Sequence, residues 1–454
     1  MKKNLTADMT TGPFFKKIIL FSIPLIFTGL LQLVYNTADT VIVGRFAGKQ
    51  ALAAVGSTGS LVALILNVFM GLAMGAGVVT AKYIGAGNMQ KIKRCTHTAM
   101  LLSVVCGIAV GIIGFFVSGW MLRLMNVEAE ILALSTLYLK IYFLGAPGML
   151  IYNFGAAILR SHGDTQRPLY ILFLSGIVNI VLNLILVIPV KLGVSGVAIA
   201  TVVSQYISAV LVVVCLLRTD SVIKIHLKEL RIHKSELLEI IKIGVPAGIQ
   251  NSMFSIANVI IQSSVNAFGE NAMAGIAAGS NYDSYIYTCT NAFAQTTMTF
   301  TSQNVGAEKY ENVSKIYGRC LLLTCVVAGV LSCIGYVLRS QIVGIFSDVP
   351  EVIAIGAERM QLIMPFYITC SLQDVAAGQI RGLGRSTEPM LVSLIGTCGV
   401  RLLWIFVFLP MNRTLMNLFV AYPLSWAITF IAQAVLYAAL KKKLMKNGVH
   451  KKAV

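Results

Sequence analysis

The sequence predicts an all-α polytopic membrane protein: twelve transmembrane helices in two six-helix bundles, related by a pseudo-two-fold axis along the membrane normal. Three observations predict it. The apolar residues come in long blocks, Lys and Arg collect on one side, and sequence features recur at an offset of 221 residues.

Of 454 residues, 57% are hydrophobic and 12% charged, more apolar surface than a soluble chain of this length could bury. Blocks such as "LLSVVCGIAVGIIGFFVSGW" and "YILFLSGIVNIVLNLILVIPV" are long enough to cross roughly 30 Å of hydrocarbon as helices. Twelve spans follow, at about 18–43, 51–81, 95–118, 131–159, 168–189, 193–217, 241–267, 272–302, 318–338, 352–380, 389–410 and 415–440. The first apolar run is too long for a signal-peptide core, and no small-residue cleavage site follows it. It is therefore expected to be a spanning helix.

With the N-terminus inside, 27 of the 36 Lys and Arg residues fall in tails, loops and span ends on the cytoplasmic side. Six fall outside, and Lys140, Arg359 and Arg401 lie within spans. That asymmetry predicts both termini in the cytoplasm. The net charge of +18 is thus a topology signal and an attraction to anionic lipid, not evidence for nucleic acid.

The loop "RSHGDTQRP" (160–168) returns as "RGLGRSTEP" (381–389), aligning Arg160 with Arg381, Gly163 with Gly384 and Pro168 with Pro389. The same offset relates Gly48 to Gly269, Gly85 to Gly306, Glu130 to Glu351 and Pro189 to Pro410. Pro24 and Pro246 match with a slip of one residue. Six helices per repeat is an even number, so the repeats run parallel. This predicts an N-lobe (1–218), a charged cytoplasmic linker (219–240) and a C-lobe (241–454).

These residues resemble the multidrug and toxic compound extrusion (MATE) transporters. The resemblance rests on "FSIPLIFTGLLQLVYNTADTVIVGRFAGKQALAAVGS", on "IGAGN" with its mirror "VGAEK", and on the paired "RSHGDTQRP" and "RGLGRSTEP". It covers the whole chain. The first-helix acid is similar to that of the damage-inducible F-like branch. The resemblance implies a monomeric exporter in a bacterial inner (cytoplasmic) membrane. Its partners would be organic, mainly cationic amphipathic compounds, moved by antiport with H⁺ or Na⁺, with no cofactor and no catalytic site.

Four acids fall within spans: Asp39, Asp283, Glu358 and Asp374. A charge at the centre of a membrane helix costs roughly 2.5–3.5 kcal/mol on insertion scales, so each is a functional candidate. Asp39 shares a helix face with Tyr35 and Asn36. Burial makes a carboxyl hold its proton more tightly, which suits a coupling site. The resemblance implies that Asn179, Asn183 and Thr201 complete an H⁺ or Na⁺ cluster with Asp39. Asn183 stands where the related branch usually has a second aspartate. The lower negative charge favours H⁺ over Na⁺.

The second repeat has the more polar lining. Span 7 offers Gln250, Asn251, Asn258 and Gln262, and span 8 opens with "NYDSYIYT", giving Tyr282, Asp283, Tyr285 and Tyr287. Its counterpart in the first repeat, "SLVALILN", is apolar. An acid among tyrosines suits an organic cation, by charge and cation–π contact. An aromatic belt at the membrane interface would give the same pattern. Asp374 either binds substrate or pairs with Arg401. Glu358 and Arg359 are expected to snorkel to the interface. Lys140 either does the same or partners Asp39.

The alternatives carry less support. A lipid-linked precursor flippase would be expected to present a basic cluster, yet the spans hold four acids against three bases. An intramembrane enzyme lacks GxSxG, HExxH and a membrane His/Cys dyad. The five histidines fall in loops or the tail, and the nine cysteines form no CxxC pair, so the cysteines are expected to be packing residues.

Overall fold

The computed structural model describes residues 8–125 and 127–452, with side chains up to residue 443. All its regular structure is helical. In chain order the helices are α1 (Phe14–Ile42), α2 (Lys49–Gly85), α3 (Met89–Leu124), α4 (Ala129–Leu144), α5 (Ala146–Ser161), α6 (Gln166–Val187), α7 (Val194–Arg218), α8 (Lys234–Asn266), α9 (Glu270–Gly306), α10 (Tyr310–Val337), α11 (Arg339–Gly344), α12 (Pro350–Ile363), α13 (Tyr367–Gly382), α14 (Thr387–Ser393), α15 (Val400–Leu403) and α16 (Leu415–Lys452). A π-helical segment, Val43–Ala47, extends α1, and two more join α14 and α15 into one run from Thr387 to Phe408.

Among the described residues, eight helical segments are long and apolar enough to cross a membrane, or nine if α4 and α5, bent by 46° at Gly145, count as one. The expected spans over α8, α9 and α12–α13 are helical too, but they are more polar. On α9 the hydroxyls of Thr290, Thr296, Thr297 and Thr299 each donate to the carbonyl four residues earlier. Such back-bonding satisfies a hydroxyl without water, so the helix can bury a threonine-rich stretch.

The repeat is written into the helix boundaries. α2 (Lys49–Gly85) and α9 (Glu270–Gly306) begin and end 221 residues apart. So do α5 (Ala146–Ser161) and α13 (Tyr367–Gly382), and likewise α6 and the run from Thr387 to Phe408. The turns repeat as well. Gly48 and Gly269 have φ of 90° and 94°, and Gly163 and Gly384 have φ of 93° and 82°. At the third such pair, Gly87 (φ 64°) is matched by Glu308 (φ 56°), a left-handed residue that is not glycine.

The chain forms two compact units, and the division falls inside helices. One unit comprises Phe27–Gly248; the other comprises Met9–Ile26 and the chain from Ile249 onwards. Pro24 of α1 and Pro246 of α8 lie two residues before these changes of unit. A helix-interior proline removes one backbone hydrogen bond, which permits a change of direction. In the second unit, Phe14, Ile18, Phe21 and Leu25 join a core with Phe293, Phe300 and Ile316. There Phe21 meets Phe300 edge-on at 5.4 Å, and Ser22 bonds Thr296 at 2.8 Å.

In the first unit, the start of α8 lies backbone-to-backbone on α2. A Cβ on Gly71 would lie 2.6 Å from Gly248 Cα, and one on Gly244 would lie 2.6 Å from Leu72 Cα. Small residues permit such an approach between membrane helices. Gly71→Val is therefore expected to lower the unfolding temperature in detergent, at a cost of about 1–3 kcal/mol for overpacking. Gly56→Ala, on the same helix with nothing within 4 Å, is the control expected to stay near wild type.

The linker segment between α7 and α8 is irregular apart from one 3₁₀ turn, Leu227–Glu229, and α8 begins at Lys234. It is pinned to the start of α3. The His226 amide donates to His97 Nε2 at 3.0 Å, the His233 amide donates to Thr98 Oγ1 at 3.0 Å, and Lys93 pairs with Glu229. The bond from Lys93 holds the Glu229 carboxyl below its usual range.

Candidate functional site

In the first unit, a close approach of α1 to α6 builds the site. The Tyr35 ring covers Gly176, where any Cβ would enter the ring, and its hydroxyl donates to the Phe173 carbonyl at 3.3 Å. One turn further along α1, Asp39 reaches Asn183, whose Nδ2 donates to Asp39 Oδ1. The same Nδ2 reaches Asn179 Oδ1 at 3.3 Å. Both asparagines are buried. Asn183 Oδ1 is also buried and has no hydrogen-bond partner among the described residues.

The sequence therefore named three members of this cluster: Asp39, Asn179 and Asn183. Thr201 instead donates to the Val197 carbonyl of its own helix at 3.0 Å. The Asn36 side chain is exposed and joins no part of the cluster, although its backbone carbonyl accepts from Thr40. Lys140 places its ammonium over the Phe115 ring, 5.3 Å from the centroid, rather than on Asp39. Two residues that sequence reasoning missed, Tyr138 and Tyr142 of α4, lie within electrostatic range of Asp39. Their spacing of four residues places them on one helix face, the one available signal.

The second unit differs from expectation in its charges. Asp283 is paired with Arg359, Nη2 to Oδ2 at 2.6 Å, and the Tyr367 hydroxyl donates to the Asp283 carbonyl at 2.9 Å. Arg359 is 4% exposed. The expected snorkelling of Arg359 is thus corrected, because a buried acid captures the guanidinium, whereas Glu358 is exposed. Asp374 does not pair with Arg401. It faces Arg381 and Tyr287, and Arg381 Nη2 also donates to Gln250 Oε1 at 2.7 Å. Arg381 follows Asp374 by seven residues on α13, two turns along one face, so this neighbour was readable from the sequence.

The other expected lining residues are dispersed. Tyr282 donates to the Leu331 carbonyl at 2.8 Å. The Tyr287 hydroxyl accepts from Asn291 at 3.0 Å, and Gln262 donates to Asn266 at 3.1 Å. The Asn251 carbonyl accepts from Ser255, while Asn258 and Tyr285 are exposed. Arg401 lies against the rings of Tyr422 and Trp426, at 4.4 and 5.6 Å, and its Nε donates to Ser425 at 3.0 Å.

Comparison with known proteins gives the family. The MatE family model matches residues 24–185 and again 246–407, two copies 222 residues apart. A relative named "Probable multidrug resistance protein YoeA", from Bacillus subtilis, is 26% identical over 450 residues, covering 97% of this chain and 96% of its own. A "FAD transporter" from Shewanella oneidensis is 25% identical over 303 residues, covering 66% of this chain and 67% of its own. One solved structure is described as the outward-facing conformation of a multidrug resistance MATE family transporter of the MOP superfamily. It is similar in fold, with a TM-score of 0.91 at 21% identity, over 98% of this chain and all of that one. This all-α multi-pass membrane chain, with its two copies of one helical repeat, belongs to the MatE family of transporters.

Proposed function

We propose that this chain is a secondary active multidrug exporter, moving amphipathic organic compounds by antiport with H⁺ through alternating access. The observation that carries this reading is the bond between Asp39 and the buried Asn183. An ionised carboxylate only accepts hydrogen bonds, whereas a protonated one also carries an O–H that donates. With Asp39 ionised, the Asn183 Nδ2 donates to it. With Asp39 protonated, its O–H gains an unpartnered acceptor in the orphan Asn183 Oδ1, which a turn of the amide would bring to it. The proton would thereby set the packing of α1 on α6. A transported compound that prefers the other arrangement would be exchanged for it, since coupling needs only differential affinity for two states.

Na⁺ is supported less well. Asp39 is the cluster's one carboxylate, and the oxygens beside it belong to the neutral amides of Asn179 and Asn183. We place the chain in a bacterial inner membrane, acting as a monomer with both termini cytoplasmic; the Lys and Arg asymmetry supports that orientation. The first-helix acid supports the F-like branch. A second reading, a flippase for lipid-linked precursors, draws on the buried arginines of the second unit, Arg359, Arg381 and Arg401.

Uptake of ethidium into everted vesicles, driven separately by imposed H⁺ and Na⁺ gradients, tests the proposal. Uptake with the H⁺ gradient alone is expected. Uptake with Na⁺ alone would reassign the ion. Flipping of a polyprenyl-linked sugar, with no gradient-driven uptake of any dye, would favour the second reading.

A further inference from the structure

We propose that the second unit carries an anion-binding site at Arg401, so that this exporter takes amphipathic compounds bearing a carboxylate, sulfonate or phosphate. The inference deepens the exporter reading and rests on it. The buried charges of the unit do not cancel. Asp283 is neutralised by Arg359 at 2.6 Å, and Asp374 faces Arg381. Arg401 makes no ion pair among the described residues, and the groups that act on it electrostatically are Tyr422, Cys370, Cys398 and Tyr367, none a carboxylate. It is 6% exposed, and it lies roughly 10 Å along its helix from the end at Phe408. A guanidinium keeps its charge in proteins, and a charge within the membrane needs a partner or water.

The surroundings position that guanidinium rather than discharge it. Tyr422 stacks at 4.4 Å, Trp426 lies at 5.6 Å, and Ser425 accepts only from Nε. Trp426 is braced in turn by Tyr367, edge-on at 5.4 Å. Cation–π contacts hold a guanidinium by its faces and leave its in-plane N–H groups to an oxyanion, which can take two of them at once. The adjoining rings offer an aromatic surface to the body of the same compound.

Rhodamine B, which has a free carboxylate, and its ethyl ester share one aromatic body and differ in that charge. Their binding to the purified full chain in detergent, read by fluorescence polarisation, tests the site. The acid is expected to bind about tenfold tighter than the ester, the size of one charge-assisted contact. Arg401→Gln is expected to remove the preference, and Arg401→Lys to keep part of it. Displacement of the bound acid by salicylate would assign a soluble ligand, and displacement by undecaprenyl phosphate a lipid; either supports the site. Wild-type protein that binds the ester as well as the acid overturns it, and that comparison needs no variant. So does a preference that survives in Arg401→Gln. Gradient-driven export of the ester without preferential binding of the acid would sink the anion site and leave the exporter standing. Preferential binding of the acid with no export of either dye would do the reverse.

Discussion

Asp39→Asn is expected to abolish ion-coupled exchange while leaving a folded protein. Asp39 is the one acid within the first unit's spans as expected from the sequence, and it is the carboxyl that meets Asn183 between α1 and α6. Asparagine matches aspartate in shape and can keep a contact with Asn183, so packing should survive. It cannot gain or lose a proton. Each pH unit of gradient carries about 1.4 kcal/mol per proton, and the variant would harvest none of it. An amide also offers a donor and an acceptor at once, as protonated Asp39 does. The variant should therefore rest in the protonated-like arrangement of α1 and α6. Two measurements check this. Proton release from purified protein on adding substrate should vanish, while substrate binding persists. Vesicle uptake should no longer respond to an imposed pH gradient. Wild-type proton release in the variant would remove Asp39 from the mechanism. Asn183→Ala serves as the companion: it keeps the acid but removes its hydrogen-bond partner, so proton release should persist with a shifted pH dependence.

The sequence made the repeat legible because helix ends and turns are local events. A left-handed turn at Gly48 or Gly163 is selected by the residues beside it, and the second copy needs the same turn. Asp39 was reachable because an ionisable residue in an apolar run stands out, and the one-turn spacing put Asn179 and Asn183 on one face, but only the family resemblance joined them to Asp39. The charges of the second unit were harder. Asp283 and Arg359 are 76 residues apart on α9 and α12, and no periodicity links them. Arg359 follows the exposed Glu358 directly, and adjacent helical residues look alike in a linear charge pattern although they point in different directions. Thr201 failed as a neighbour for a local reason, because a threonine hydroxyl in a helix has the carbonyl four residues back always within reach.

The symmetry of the repeat ends at its chemistry. Ile260 and Ile261 stand at the positions equivalent to Asp39, and Ile261 is buried in an apolar cluster with Val265 and Leu418. Where α9 has Tyr282, Asp283 and Tyr287, the equivalent positions of α2 are the apolar Leu61, Val62 and Leu66. One scaffold thus places an acid against two asparagines in one unit and an arginine-rich set of buried charges in the other.

Arg359→Leu is expected to be the most destabilising single change in the second unit. The pair with Asp283 is held at 2.6 Å, with side-chain exposures of 5% for Arg359 and 15% for Asp283. Removing one partner leaves an uncompensated buried charge, which costs about 3–5 kcal/mol. Tyr367 offers no rescue, because its hydroxyl already serves the Asp283 carbonyl. The pair itself need not stabilise the fold, since desolvating two charges offsets much of their attraction. The double variant Asp283→Leu/Arg359→Leu should therefore recover most of the loss. Unfolding midpoints in detergent for wild type, both single variants and the double variant close the cycle. A double variant as unstable as Arg359→Leu alone would show that the packing of Arg359 against its neighbours matters more than its charge. Recovery in the double variant, together with unchanged rhodamine B binding, would mark the pair as a neutral brace and leave Arg401 as the unit's uncompensated charge.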